Sequence, residues 1–202
     1  MRRFIAFGFL LFLMTPVAAQ TGVGLTCYDC PCPVSTTGGG GVLLITPEGN
    51  GDNLEATGME IRLSIIDCNG DPVAGFPFND LWLQPSSPNV SFVTRFFAAA
   101  NTNVDGETYW SGRIAGGGWM DTSGADRTRI SLAGVEILPD LDLSFVSPDL
   151  NGDLKVDIVD VATFALDWNT GWTFRSDLTA DGVINLADIG VLATYLGEDG
   201  NN

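Results

Sequence analysis

Two segments near the C-terminal end of the chain share one spacing of oxygen side chains. Asp149-Leu-Asn151-Gly-Asp153-Leu-Lys155-Val-Asp157-Ile-Val-Asp160 places oxygens at loop positions 1, 3, 5, 9 and 12. Asp177-Leu-Thr179-Ala-Asp181-Gly-Val183-Ile-Asn185-Leu-Ala-Asp188 repeats the pattern 28 residues later. Such a loop wraps a hard cation, which takes about six to eight oxygens at roughly 2.4 Å. Positions 1, 3 and 5 turn their side chains inward, and position 9 acts directly or through a water. Position 7 contributes a backbone carbonyl, so Lys155 and Val183 need no ligating side chain. Position 12 closes the shell from the first turn of a helix. Calcium fits this donor set; magnesium, which keeps its waters and demands a tighter octahedron, fits it less well. The expectation is two calcium ions. One is held by Asp149, Asn151, Asp153, Lys155, Asp157 and Asp160, the other by Asp177, Thr179, Asp181, Val183, Asn185 and Asp188.

The residues after each loop keep the same offset. Val161, Phe164, Ala165 and Trp168 stand at i, i+3, i+4 and i+7, and Ile189, Leu192, Ala193 and Leu196 repeat them. Each set predicts a helix with one apolar stripe, and the two stripes are expected to pack together over a small core. A unit of this size is marginal alone, so metal binding should supply part of its folding energy. Two other segments begin the loop pattern without completing it. Asp67-x-Asn69-x-Asp71 would have Phe78 at position 12, and Asn101-x-Asn103-x-Asp105 would have Gly112. Neither has the closing carboxylate, and both are read as turns.

Two loops, each followed rather than preceded by its helix, resemble a type I dockerin domain over residues 148–197. The resemblance implies a small all-α pair of half EF-hands in a secreted protein. It also implies docking onto a cohesin domain, the means by which enzymes, often polysaccharide-degrading, join a larger complex. Three features depart from the family pattern. Leu154 stands where the loop turn usually takes Gly, which predicts strain in the first loop. Thr179 is a neutral, weaker ligand than Asp or Asn. Finally, Ile158-Val159 and Leu186-Ala187 occupy places where cohesin-reading members often carry Ser or Thr, and Leu166-Asp167 and Thr194-Tyr195 fall where Lys or Arg is common.

The rest of the composition narrows the function. The 202 residues carry 9 Lys+Arg, 25 Asp+Glu and no His, a net charge of -16. Imidazole-based catalysis and the commonest zinc and haem ligand sets are thereby removed. Nucleic acid and anionic membrane surfaces need a basic footprint that the chain lacks. Met1-Arg2-Arg3, an apolar run to Val17 and the small residues Ala18-Ala19 read as a signal peptide over 1–19, too short to span a membrane comfortably. Its removal takes two arginines and leaves -18. The protein is therefore expected to be secreted. Cys27, Cys30, Cys32 and Cys68 form an even set compatible with disulfides outside the cytosol. A zinc knuckle and a CxxC redox pair are alternatives. A long bridge from the 20–37 lead to Cys68, with or without a local one, is preferred.

Between lead and tail, residues 38–147 alternate β-prone runs with turn residues, the pattern of a β-sandwich. Expected runs are Val42 to Thr46, Met59 to Asp67, Leu81 to Leu83, Val90 to Phe97, Glu107 to Ile114 and Arg127 to Leu132. Asp67-Cys-Asn-Gly70-Asp-Pro72-Val-Ala-Gly75, with Asn103-Val-Asp105-Gly106, resembles bacterial immunoglobulin-like modules. Trp82, Tyr109, Trp110 and Trp119 offer either core or a sugar-stacking platform. The run Gly116-Gly117-Gly118 has neither the Lys nor the helix of a phosphate loop. The fold class expected is mainly β: an immunoglobulin-like sandwich followed by the dockerin-like pair. The function expected is a non-enzymatic calcium-binding protein that attaches to a protein partner through its tail. A carbohydrate-binding or adhesive module is one alternative. A polysaccharide hydrolase component is another, with Glu60, Asp80, Glu107, Asp121 and Glu136 as available carboxylates but no spacing that singles out a pair.

Overall fold

A computed structural model describes residues 32–201. The expected leader and the cysteines Cys27 and Cys30 lie outside the described residues. Cys68 is disulfide-bonded. The fold is mainly β with two helices. The strands are β1 (Cys32–Thr37), β2 (Gly41–Leu44), β3 (Ile61–Ile66), β4 (Leu81–Pro85), β5 (Val90–Phe92), β6 (Phe96–Phe97), β7 (Glu107–Trp110), β8 (Gly116–Gly118), β9 (Thr128–Leu132), β10 (Val135–Leu141) and β11 (Leu143–Val146). The helices are α1 (Ile158–Thr170) and α2 (Leu186–Tyr195).

Three antiparallel sheets have the orders β1-β3-β7, β10-β9-β4-β6 and β5-β8. A fourth is a parallel pair, β2 with β11, in the register Leu43 to Phe145. Period-two alternation in β3 buries Ile61, Leu63 and Ile65 and exposes Arg62, as the sequence predicts. The turn at Asn69-Gly70 also forms, with Asp67 Oδ1 accepting from Asn69 N–H at 2.8 Å and from Asp71 N–H at 2.9 Å. Strands β1, β8, β10 and β11 were not among the expected runs.

The aromatic platform does not form. Trp110 is fully buried, and its indole N–H has no acceptor among the described residues. Tyr109, one residue earlier, faces the other side of the same strand and is exposed. Trp82 belongs to another sheet, where Arg95 lies 4.4 Å over its ring. Trp119 is half-buried, 6.5 Å from Phe174. No flat row joins rings that lie on different sheets and opposite strand faces.

A second apolar cluster holds the helices: Val146, Leu150, Val156, Phe164, Leu178 and Leu192, with Val42 and Leu44 packed against it. The parallel pair thus lies between two cores. Leu43, Leu143 and Phe145 face the main one, while Val42, Leu44 and Val146 face the helices. Burial on both faces leaves every residue of β11 inaccessible.

The helices do not bury their apolar stripes as expected. In α1 the buried residues are Asp160, Phe164 and Asp167, and in α2 they are Asp188 and Leu192. Ala165, Trp168, Ile189, Ala193 and Leu196 are exposed. Each inward face is turned by one position, and the cause is polar. Asp160 and Asp188 must point inward to close their loops, and Asp167 points inward to meet Arg175. Val161, Phe164, Ala165 and Trp168 of the first stripe, with Ile189 and Leu192 of the second, line an open groove between the helices instead.

Candidate metal centre

The first loop leaves β11 directly. Asp149 is fully buried, and its carbonyl accepts from Gly118 N–H of β8 at 2.8 Å. Its carboxylate collects the loop's own amides: Oδ1 accepts from Gly152 at 2.8 Å and Asp153 at 3.2 Å, Oδ2 from Leu154 at 2.7 Å. Asn151 Oδ1 accepts from Asp153 N–H at 2.9 Å, and Asp153 Oδ1 from Lys155 N–H at 3.0 Å. Asp157 caps α1 by accepting from Val159 N–H at 2.7 Å, while Asp160 Oδ2 accepts from Asp157 N–H at 2.8 Å. This reciprocal box satisfies amides that a helix start leaves open. Asp160 Oδ1 reaches back to Leu150 N–H at 2.8 Å, closing the loop. The Lys155 ammonium turns away to Asp199, at 2.7 Å.

The second loop repeats these bonds. Asp177 Oδ1 accepts from Asp181 N–H at 3.1 Å and Oδ2 from Gly182 N–H at 2.8 Å. Asp181 Oδ1 accepts from Val183 N–H at 2.9 Å. Asn185 caps α2 through Ala187 N–H at 2.7 Å, and Asp188 Oδ2 accepts from Asn185 N–H at 2.8 Å. Asp188 Oδ1 takes both the N–H (2.9 Å) and the hydroxyl (3.0 Å) of Thr179. The twelve expected positions thus lie in two loops with similar internal hydrogen bonds.

Four of the loop carboxylates are buried. Asp149, Asp160 and Asp188 are 0 % exposed and Asp177 is 4 % exposed. None of the four accepts from a Lys or Arg among the described residues. Burial pushes the Asp149 carboxyl up to about 6 despite its amide donors, and raises that of Asp160. By contrast, in the two incomplete loops Asp67 is only half-buried and Asn101 is exposed. Backbone donors from Asp71 and Asn69 hold Asp67 below the usual carboxylate range. Among the described residues no three His, Cys, Asp or Glu stand close enough to form a preassembled cluster. The loop oxygens are spread along their own amides. Buried carboxylates without a cation, in an all-oxygen set, fit a hard divalent ion.

Three supports of the site carry no motif in the sequence. Arg175 makes a two-pronged pair with the buried Asp167, Nε to Oδ2 at 2.7 Å and a terminal nitrogen to Oδ1 at 2.8 Å. Thr173 and Ser176 hydroxyls donate to the same Oδ2 at 3.0 and 2.6 Å. The Arg175 bond holds the Asp167 carboxyl below its ordinary value. This ties the link between the loops to the end of α1, where an acidic side chain is otherwise unfavourable. Next, Trp172 Nε1 donates to Asp177 Oδ2 at 3.0 Å. Last, residues after α2 return to the first loop: Gly200 N–H donates to the Leu154 carbonyl at 2.9 Å.

No protein-family model matches the chain, and no curated protein or solved structure matches it.

Proposed function

We propose that this is an exported calcium-binding protein, in which an immunoglobulin-like β module carries a dockerin-like tail that attaches to a protein partner. The observation that carries this reading is the burial of Asp149, Asp160, Asp177 and Asp188 with no basic partner among the described residues. Asp149, Asn151, Asp153, Asp157 and Asp160 would hold one ion, with the Lys155 carbonyl. Asp177, Thr179, Asp181, Asn185 and Asp188 would hold the other, with the Val183 carbonyl. A bound ion supplies the charge that these carboxylates lack and cross-links each loop to its helix. Calorimetry on the chelator-stripped chain tests the reading: two calcium ions per chain are expected, and no uptake would sink it.

The attachment surface is the groove between the helices, about 280 Å³, with Phe164 and Leu192 at its base and Val161, Trp168 and Ile189 beside them. Ile158 and Leu186, at equivalent loop positions, start the two helices at 74 % and 76 % exposure. Apolar surface of this kind on an acidic chain suits a partner with an apolar ridge and a basic rim, such as a cohesin-like domain. Binding by a panel of cohesin domains, lost in the Ile158→Asp/Leu186→Asp double variant, is the expected result. Three of the five carboxylates available to a hydrolase are engaged elsewhere: Glu60 with Arg62, Glu136 with Arg129, and Asp121 with Ser123.

One cleft favours the carbohydrate reading. It measures about 380 Å³ on the outer face of β1-β3-β7 and is lined by Arg62, Ser64, Asn101, Glu107 and Tyr109 among others. An exposed ring beside mixed donors and acceptors suits a neutral saccharide. Retardation in gels containing neutral polysaccharides, lost in Tyr109→Ala, would support it; unchanged mobility in all of them would end it.

A further inference from the structure

The Gly116-Gly117-Gly118 run belongs to no recognised motif, yet all three residues are buried in β8. Each glycine is required by a different neighbour. A Cβ on Gly116 would stand 2.7 Å from the Ser91 carbonyl oxygen, and one on Gly118 would overlap the Asn89 carbonyl. A Cβ on Gly117 would overlap neither strand: it would occupy the place of the Asp149 carboxylate, Oδ2 first. The Gly118 N–H meanwhile donates to the Asp149 carbonyl, and Gly152 of the first loop lies 3.2 Å, by its would-be Cβ, from Asn89 O. Position 1 of the first loop is therefore seated on the β module, by a hydrogen bond to its backbone and a space left for its side chain.

The far side of the loop is also anchored. Leu154 accepts from Gly200, and Lys155 bridges to Asp199. The neighbouring Glu198 accepts from Asn50 Nδ2 at 2.9 Å and Glu48 N–H at 3.2 Å, both in the β module. Position 1 of the second loop makes no hydrogen bond to the β module among the described residues, although Leu178 beside it packs in the cluster that holds Val146. Asp177 is backed by Trp172, from its own linker, and a Cβ on Gly182 would meet open space.

We propose that the first calcium site is a joint site: β8 positions Asp149, and the bound ion fastens the tail to the β module, while the second site takes its polar support from the tail alone. This rests on the calcium reading above. Gly117 and Gly118 are positioning residues that touch the ligand residue and not the ion. The coupling is reciprocal, so an ion that binds the seated loop also stabilises the strand that seats it.

The test uses the full chain, with calcium alone as the probe. Calorimetry is run on the wild type, on Gly117→Ala and on Gly40→Ala, whose added methyl meets nothing within 4 Å. The expected result is two ions for the wild type and Gly40→Ala. For Gly117→Ala the first site should weaken by tenfold or more, while the second keeps its affinity and the Trp172 fluorescence response. Hydrogen exchange on the wild type gives a reading that needs no variant: calcium should slow exchange of the Gly118 amide at least tenfold. Two ions in Gly117→Ala with unchanged affinities, or a Gly118 amide indifferent to calcium, overturns the joint site and leaves the calcium reading standing. A wild type that binds no calcium overturns both.

Discussion

The two loops carry one pattern and solve its backbone problem in opposite ways. Both need a left-handed residue at positions 4 and 6. The first uses Gly152 (φ 76°) and then Leu154 (φ 68°); the second uses Ala180 (φ 54°) and then Gly182 (φ 85°). Each loop thus spends glycine at one position and holds a side chain in a strained region at the other. The costs are unequal, because a bulky Leu tolerates this conformation less well than Ala. The first loop accepts the larger strain and is buttressed on both sides by the β module and the C-terminal residues. The second is less strained and takes its hydrogen bonds from the tail itself, with Val183 exposed. A strained conformation persists where its surroundings over-determine it.

Five measurements bear on this contrast, and the largest effect comes from removing a position-1 carboxylate. Asp149→Ala should leave one calcium ion per chain by calorimetry. It should also cost on the order of 3 kcal/mol of calcium-dependent stabilisation at about a hundredfold excess over the dissociation constant. Equal loss of both ions would mean that the loops act as one site.

Second in size is the effect of pH on the calcium-free chain. The folded Asp149 holds its proton up to about pH 6, above the ordinary value of 3.8. The folded state therefore binds more protons across that window, and stability falls as pH rises through it. Thermal melting in chelator should show a gain of about 2 kcal/mol between pH 7 and pH 4.5. Asp167, with its carboxyl lowered, acts with the opposite sign. Its contribution is complete above its unfolded value and is lost only in stronger acid. Arg175→Gln should remove roughly 2 kcal/mol at neutral pH, between the values for exposed and buried pairs. Acid unfolding should then begin at a higher pH. A flat melting profile in chelator would contradict the burial of Asp149.

The two smaller effects concern each loop alone. Leu154→Gly relieves about 1 kcal/mol of backbone strain and should raise first-site affinity up to about fivefold, leaving the second unchanged. An unchanged or weaker first site would show that the Leu154 side chain contributes packing worth its strain. Trp172→Phe removes one hydrogen bond, from the neutral indole N–H to the Asp177 carboxylate, and should change second-site affinity by about 1.5 kcal/mol or less. It should abolish most of the calcium-dependent tryptophan fluorescence change.

What the sequence showed depended on whether a residue's role was local. The loops were legible because their oxygens recur at fixed spacing, and β3 because it alternates. Helix rotation was not legible. A hydrophobic count sees Val161 and Ala165 but not the pull of Asp160 towards the Leu150 amide. Strand β8 is three glycines with no side-chain pattern, and its reason lies 32 residues away at Asp149. Strand β11 reads as a short apolar run because its two faces serve different cores. Arg175 is one basic residue among few, and nothing near it in sequence marks Asp167 as its partner.

The parallel pairing of β2 with β11 sets an order of events as the chain folds. Leu44 and Val146 are neighbours across the ribbon but about a hundred residues apart in sequence. The floor of the helical cluster is therefore missing until nearly the whole β module has closed its longest loop, the step that costs most chain entropy. A nascent or nicked chain with a disordered β module would present helices without a base to rest on. Completion of the tail thus comes late, and its formation reports that everything before it has already found its place.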